Sequence, residues 1–417
     1  MPARHIPVRP DLDQLKNQAK DLLRAIKRGD ASAIEELRTH HPGKPDPLTA
    51  KLADAQHSLA RSYGIRSWPR LVQACRVIDA IWRDDADELR SLVLKYPYLL
   101  HEMARGTEHC NWGLPLSYAA NLGRDRMIEM LRELGAQDIV RAMGRAVLQG
   151  QIETARRLYA MGARPPRGAV MGPAESQNAD GLAYALELGA EICDRGGDRL
   201  APMAMVLETY CRNTAGKHRC FELFASHGIE LPETPTMALH RGRIDLLEEH
   251  LRRDPALLDR TFSLREIYPR EVGCHEDVSL GLHATPLKGT TLLHMSIDFD
   301  EFEIAKWLIE RGADVNAKAE LDASGFGGHT PLFGCVVRQS SHRGTARFAA
   351  LLLDHGANPN MRASLQKKLI GAHDETLHTY RDVTPLEWGR QFHDRSFVDT
   401  AAVELIASGH SRNKRQL

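Results

Sequence analysis

The stretch from residue 289 to residue 316 decides the fold. It opens with Gly289-Thr290-Thr291-Leu292-Leu293-His294 and closes with Arg311-Gly312-Ala313-Asp314-Val315-Asn316. Between these motifs, an apolar run from Ile304 to Ile309 follows a break at Asp300. A threonine hydroxyl can cap a first helix, and a closing glycine can take the left-handed conformation that ends a second one. The stretch therefore predicts a pair of short helices whose leucines form a buried stripe.

Copies of this pattern occur on both sides of the stretch. The clear ones begin at Gly328-His329-Thr330-Pro331-Leu332-Phe333, at Asp382-Val383-Thr384-Pro385-Leu386-Glu387 and at Gly113-Leu114-Pro115-Leu116-Ser117. A spacing of twelve residues recurs in three copies, between Gly123 and Gly135, Gly150 and Gly162, and Asp300 and Gly312. Weaker copies occupy residues 142–163, 181–190, 201–228 and 236–257. Self-similarity of this kind predicts a repeat architecture.

The pattern resembles the ankyrin repeat, in which G-x-T-P-L-H is followed by a short helix, a turn, a second helix and G-A-D-V-N. The likeness extends from residue 113 to residue 410. It implies an all-α fold, an ankyrin-repeat-like α-solenoid of stacked helix pairs with long inter-repeat loops. Because a solenoid grows by stacking, 417 residues can form one continuous domain of roughly nine or ten helix pairs.

The first hundred residues predict a capping module. Two helix pairs surround Gly29-Asp30 and residues 84–87, and the segment from Lys51 to Leu71 is similar to the amino-terminal region of bacterial ankyrin-repeat proteins. This similarity implies a bacterial origin and no activity. The predicted divisions are a capping module (1–100), degenerate short repeats (101–258), near-consensus repeats with long insertions (259–410) and a polar tail (411–417).

Composition argues against several functional classes. Lysine and arginine number 55 and aspartate and glutamate also 55, so no global basic field attracts nucleic acid or an anionic membrane.

No secretory signal or membrane span is recognisable, and we expect a cytoplasmic protein. The seven cysteines lack a C-x-x-C pair, which disfavours a disulfide framework and a zinc ribbon. Nucleotide-binding and serine-hydrolase motifs are also missing, so we predict no cofactor and no metal.

Three insertions are the predicted locations of function. They span residues 259–288, 317–329 and 361–383, and they join consecutive repeats, so they should project from the same edge and can converge. Long loops without secondary structure are usually functional or disordered. Fourteen of the twenty histidines lie from His218 onward, and several fall inside these insertions. The predicted partner-binding or ligand-binding residues are Trp112, Tyr268, His275, His283, Phe326, His329, His373 and His378.

Structural roles compete with binding at several of these positions. His294 occupies the consensus histidine position and is predicted to make structural hydrogen bonds, whereas His329 is at a variable position where solvated polar residues are usual. Trp112 is either a finger-tip anchor for a partner or a plug between fingers. His373 and His378 form H-x4-H, a weak metal pattern because further ligands at fixed spacing are missing.

Two functions follow as hypotheses. The favoured one is a non-enzymatic ankyrin-repeat scaffold, which binds a protein or peptide partner through its concave face and inter-repeat fingers. The alternative is an enzyme or a small-ligand-binding protein whose pocket is built from the three insertions, with Glu271, His275 and His283 as acid, base or ligand candidates. The favoured hypothesis rests on the resemblance, and function transfer from a fold is an analogy.

Overall fold

A computed structural model describes residues 6–106, 111–275, 283–339, 344–370 and 374–413. The chain divides into two compact units, Met1–Pro166 and Arg167–Leu417. We refer to these as unit 1 and unit 2. The four divisions predicted from the sequence were placed where the match to the repeat pattern becomes stronger or weaker. Their boundaries remain predictions.

Unit 1 consists of short helices in pairs. Asp11 and Asp30 begin the first two helices by accepting backbone N–H bonds on their carboxylates. The apolar faces of α1, α2 and α3 meet in a common core that includes Leu15, Leu37 and Leu59. The helices are α1 (Leu12–Lys27), α2 (Ala31–His40), α3 (Leu52–Ser62), α4 (Trp68–Arg83), α5 (Ala86–Lys95), α6 (Pro115–Asn121), α7 (Asp125–Glu133), α8 (Ile139–Gln149) and α9 (Ile152–Ala160), with a 3₁₀ helix at Pro97–Leu100.

Unit 2 continues with helix pairs and adds one β-hairpin. Its first part contains α10 (Met171–Glu175), α11 (Ala179–Glu187), α12 (Ala201–Glu208), α13 (Thr214–Ser226), α14 (Pro235–His240), α15 (Ile244–Arg253) and α16 (Leu264–Ile267). Its second part contains α17 (Leu292–Asp298), α18 (Phe302–Glu310), α19 (Pro331–Val336), α20 (Arg347–Asp354), β1 (Ala363–Lys367), β2 (His378–Val383), α21 (Pro385–Gln391) and α22 (Thr400–Asn413). Short 3₁₀ helices occupy Pro255–Leu258, Arg270–Val272 and Arg395–Phe397.

The deciding stretch folds as its residues predict. Thr291 caps α17, and its hydroxyl lies 2.9 Å from Nδ1 of His294. The other ring nitrogen of His294 lies 3.1 Å from the carbonyl oxygen of His329, so this histidine joins two repeats, which confirms its structural role. Gly312 ends the second helix in the left-handed conformation, with φ of 99°.

Helices stack on their counterparts in neighbouring repeats. The first helices of successive pairs are in contact, α14 with α17, α17 with α19, and α19 with α21. In unit 1, α6 packs on α8 in the same way. Trp388 on α21 is fully buried and donates its indole N–H to the Thr285 hydroxyl at 3.2 Å. The predicted all-α class of stacked helix pairs is confirmed.

One predicted loop is a β-hairpin. Within the insertion 361–383, β1 and β2 pair antiparallel, with Leu365 opposite Tyr380 and Lys367 opposite His378. The side chains of Ala363, Leu365 and Lys367 all face inward, which gives β1 the period of two that a strand requires. The lysine at an inward position hides this alternation in the sequence. The six described cysteines are free thiols, five of them buried; Cys110 lies outside the described residues.

Candidate functional site

Backbone hydrogen bonds link the three insertions along one edge of unit 2, the first and second of them through Gly289 and Thr290. Phe262 N–H donates to the Thr290 carbonyl at 2.9 Å, and Glu320 N–H donates to the Gly289 carbonyl at 2.8 Å. Gly327 N–H then donates to the Ser364 carbonyl at 2.7 Å, which links the second insertion to β1. We call this surface the finger edge, defined as residues 259–263, 287–291, 317–330 and the described part of 361–383. The prediction that these insertions converge is confirmed.

The second insertion forms a tight turn. Asp322 accepts backbone N–H bonds from Ser324 and Phe326 on one carboxylate oxygen, at 2.8 and 2.9 Å. Gly327 has φ of 122°, and a Cβ at this position would overlap the carbonyl oxygen of Glu320. Only glycine suits both this conformation and this close approach. The turn is therefore held by its own backbone.

Three large apolar side chains are exposed on the finger edge. Leu321 is 68% exposed, Ile370 47% and Leu377 50%. Leu200 is the only other large apolar residue of comparable exposure among the described residues of unit 2. The predicted binding residue Phe326 lies between them in sequence but is only 8% exposed, because the guanidinium of Arg381 covers its ring at 3.8 Å. The apolar surface offered to solvent is therefore Leu321, Ile370 and Leu377.

His378 belongs to a small polar cluster at the end of β2. Its Nε2 lies 2.8 Å from the Asp374 carboxylate, and its ring stacks on His393 with centroids 3.9 Å apart. Bonds from the Thr376 hydroxyl and N–H, and from His378, hold the pKa of Asp374 well below its usual range. Burial, with the charge of His378 second, lowers the pKa of His393. His373, the other histidine of the H-x4-H pattern, lies outside the described residues.

The three residues proposed for an acid-base pocket do not face a common cavity. His283 is fully buried beneath Tyr268, whose hydroxyl lies 3.4 Å from its Nδ1. His275 is exposed and its Nδ1 lies 3.2 Å from the carboxylate of Glu208. Glu271 is exposed at a cavity of about 270 Å³ whose lining includes neither histidine. The burial of Tyr268 raises its pKa well above the usual value, so its hydroxyl stays protonated.

His329 corrects an expectation. The sequence predicts a solvated side chain at this variable position, yet His329 is 1% exposed and its Nε2 lies 2.8 Å from the Pro286 carbonyl oxygen. Burial lowers its pKa to about 4. The expectation was wrong because the first insertion passes over the position and supplies an acceptor for the ring.

Trp112 packs inside unit 1. Its ring lies 4.8 Å from Tyr118 and 6.4 Å from Trp82, measured between centroids, and the Arg145 guanidinium is 6.0 Å above it. Of the two alternatives for this residue, these contacts favour the plug over the anchor.

A group of buried ion pairs lies at the turn between α17 and α18, and the sequence analysis missed it. The turn between α17 and α18 supplies the acids: Asp298 pairs with Arg212 at 3.0 Å, and Glu301 pairs with Lys217 at 2.7 Å. Asp300 pairs with Arg338 at 2.7 Å. All six side chains are at most 3% exposed. We call these six residues the buried charge cluster.

The hairpin contributes a further buried charge, Lys367. Its ammonium group donates to the carbonyl oxygen of His283, and the side chain is fully buried. Burial lowers the pKa of Lys367 to about 7, and the negative charge of Asp298 partly offsets this lowering. Arg212 and Asp298 are 86 residues apart in the chain, so no local pattern announces their pairing. The detectable signal was an acidic turn, Asp298-Phe299-Asp300-Glu301, inside an otherwise apolar helix pair.

A match to a family model agrees with this repeat geometry. The family model described as "Ankyrin repeat" matches residues 288–320, which contain the stretch that decides the fold. The chain therefore contains an ankyrin repeat at these residues. It is 35% identical over 80 residues, 19% of its length, to "Putative ankyrin repeat protein L371" from Acanthamoeba polyphaga mimivirus. The match spans about 9% of the length of that viral relative.

One solved structure was also matched. It is described as "Crystal structure of human ASB11 ankyrin repeat domain", and the match covers 70% of this chain and 97% of that one at 17% identity, with a TM-score of 0.25. The predicted bacterial type stays a prediction. Among the described residues, no helix is long and apolar enough to cross a membrane. Within those same ranges, no group of three or more histidine, cysteine, aspartate or glutamate side chains is placed to hold a metal ion.

Proposed function

We propose that this protein is a non-enzymatic scaffold that binds a protein or peptide partner through the finger edge of unit 2. Ankyrin repeats are generally protein-interaction modules. The observation that carries the proposal is the exposure of Leu321, Ile370 and Leu377 on an edge whose backbone is bonded from one insertion to the next. Exposed apolar side chains lose their contact with water when a partner covers them, which favours binding.

The rigidity of the edge supports the same function. Backbone bonds join the insertions, the Gly327 turn is fixed by close packing, and Lys367 ties the hairpin to buried groups. A surface that is already ordered loses less conformational entropy when a partner binds. The finger edge is therefore suited to bind without rearrangement.

The alternative of a catalytic or small-ligand pocket within the insertions has weaker support. Its three candidate residues, Glu271, His275 and His283, do not share a cavity. A general base must lie within hydrogen-bond reach of the proton that it takes. A fully buried His283 does not reach a substrate in solvent.

The test replaces the three exposed apolar residues of the finger edge. The variant Leu321→Ser/Ile370→Ser/Leu377→Ser is compared with Leu48→Ser/Leu94→Ser/Val140→Ser, which removes exposed apolar side chains from unit 1. Tagged wild type and both variants are recovered from the source cells, and co-purifying proteins are quantified by mass spectrometry. We expect a partner that is retained by the unit 1 variant and reduced at least tenfold by the finger-edge variant. Equal recovery with both variants, or no partner with the wild type, contradicts the proposal.

A further inference from the structure

Unit 1 contains a cavity that the proposed function does not use. It has a volume of about 340 Å³ and lies where the turn after α3 meets α4 and the chain after the 3₁₀ helix Pro97–Leu100. Pockets that bind small ligands have volumes of about 300 Å³ or more, so this cavity is large enough to hold a small ligand. At about 30 Å³ for each water-sized group, it has room for roughly ten non-hydrogen atoms.

The charged residues around this cavity are mostly cationic. Three arginines, Arg61, Arg66 and Arg70, line it together with a single carboxylate, Glu102. Arg70 is already engaged, because its guanidinium pairs with Glu102 at 2.8 Å and lies 3.5 Å above the ring of Tyr98. Arg61 and Arg66 form no ion pair with any carboxylate among the described residues. Two guanidinium groups are therefore available to an anion.

The rest of the lining is apolar. One face of α4 lines the cavity with Arg70, Ala74 and Val77, which are spaced one helical turn apart. This face is cationic near the start of the helix and apolar further along. Ile65 and Leu99 complete the apolar wall. A pocket with an apolar wall and a few polar groups at one end orients a ligand that has both characters.

Most of the charged lining of this cavity comes from one segment of the predicted capping module. The segment from Lys51 to Leu71, interpreted above as part of a capping module, contributes Arg61, Ile65, Arg66 and Arg70 to the lining. A cap must cover the apolar end of a repeat stack, and that role requires neither an open cavity nor unpaired arginines.

We propose that this cavity binds a small organic anion, a carboxylate with an apolar chain or ring of about eight carbons. The carboxylate pairs with Arg61 and Arg66, because guanidinium groups bind carboxylates through two parallel N–H bonds. The apolar part lies against Ile65, Ala74 and Val77. This inference is independent of the partner-binding function of unit 2.

The test uses octanoate as the probe and the full-length chain. Binding is followed by ligand-observed NMR titration for the wild type and for Arg61→Ala/Arg66→Ala. The matched control is Arg126→Ala/Arg156→Ala, which removes two exposed charges from the same unit at positions outside the cavity. We expect saturable octanoate binding that the cavity variant weakens at least tenfold and the control leaves within twofold. Octanol and inorganic phosphate should each compete at least tenfold more weakly than octanoate.

A second variant tests the apolar wall. Ala74→Phe fills the cavity without touching a charge and should abolish octanoate binding, with the circular dichroism spectrum checked for retained helix. The proposal is overturned if octanoate shows no saturable binding, if the Arg61/Arg66 variant and the control bind equally, or if phosphate competes as well as octanoate.

Discussion

Units 1 and 2 differ in what they bury. Among the described residues of unit 1, Glu36 is the single charged side chain in the core, and apolar residues such as Leu37, Leu59 and Ile78 dominate. Unit 2 buries the six residues of the buried charge cluster, together with Lys367 and Asp399. It also buries four histidines, His240, His283, His294 and His329.

The difference shows two ways of holding repeats together. Apolar burial is non-directional and depends on area, so it stabilises unit 1 without fixing which side chain meets which. Buried ion pairs contribute little net stability relative to apolar residues, but losing one partner leaves an uncompensated charge. Unit 2 should therefore be far more sensitive than unit 1 to changes of charge.

The largest expected effect is a selective loss of stability of unit 2 in acid. Burial lowers the pKa of His240 and His294 to about 3 and of His329 to about 4, against 6.5 when exposed. The unfolded chain thus binds more protons below pH 6.5, and the stability of unit 2 falls as pH falls, by roughly 10 kcal/mol in total at pH 4. Hydrogen exchange resolved by peptide should show unit 2 opening at a higher pH than unit 1. Simultaneous opening of both units would argue against this difference.

A smaller effect is expected from the loss of one buried charge. Asp300→Asn keeps a side chain that tolerates the left-handed φ of 62° but leaves Arg338 without its carboxylate. We expect a loss of about 3 to 5 kcal/mol in the free energy of unfolding of unit 2. Asp84→Asn is the matched control, since Asp84 also ends a helix at a left-handed φ, 58°, but is exposed in unit 1. It should change stability by less than about 0.5 kcal/mol. Similar losses in urea denaturation for both variants would show that the buried charge is unimportant.

The smallest effect concerns the lysine of the hairpin. Because the pKa of Lys367 falls to about 7 on folding from 10.5, the unfolded chain binds more protons between these values, and stability rises with pH through that window. Wild type should gain about 2 kcal/mol relative to Lys367→Met between pH 7 and pH 9. Lys368→Met, a change at the half-exposed neighbour, should show no such trend. A constant difference between wild type and Lys367→Met across this range would place the pKa near its ordinary value.

The sequence could predict those parts of the fold that depend on near neighbours. Thr291 and His294 are three residues apart and cap the same helix, and Gly312 ends the next, so their roles follow from local geometry. The convergence of the insertions also follows, because they occupy equivalent positions in successive repeats. The helix pairs were predictable for this reason.

The candidate site was less predictable, since it depends on distant contacts. The burial of His329 depends on a carbonyl 43 residues away, and the ion pair of Arg212 on an acid 86 residues away. Histidine content drew attention to His275 and His283, whereas the exposed large apolar residues of the finger edge are two leucines and an isoleucine. Leucine is common in both cores and interfaces, and only the fold separates the two.

Photo-crosslinking in the source cells tests the central claim most directly. A benzophenone amino acid replaces Leu321 or Leu377 on the finger edge. In unit 1 it replaces Leu48 or Leu94, which as a pair are somewhat more exposed than the finger-edge leucines. The proposed function predicts that both finger-edge positions form a crosslink to the same protein and that neither unit 1 position does. Crosslinks to that protein from the unit 1 positions alone, or from all four positions equally, would contradict it.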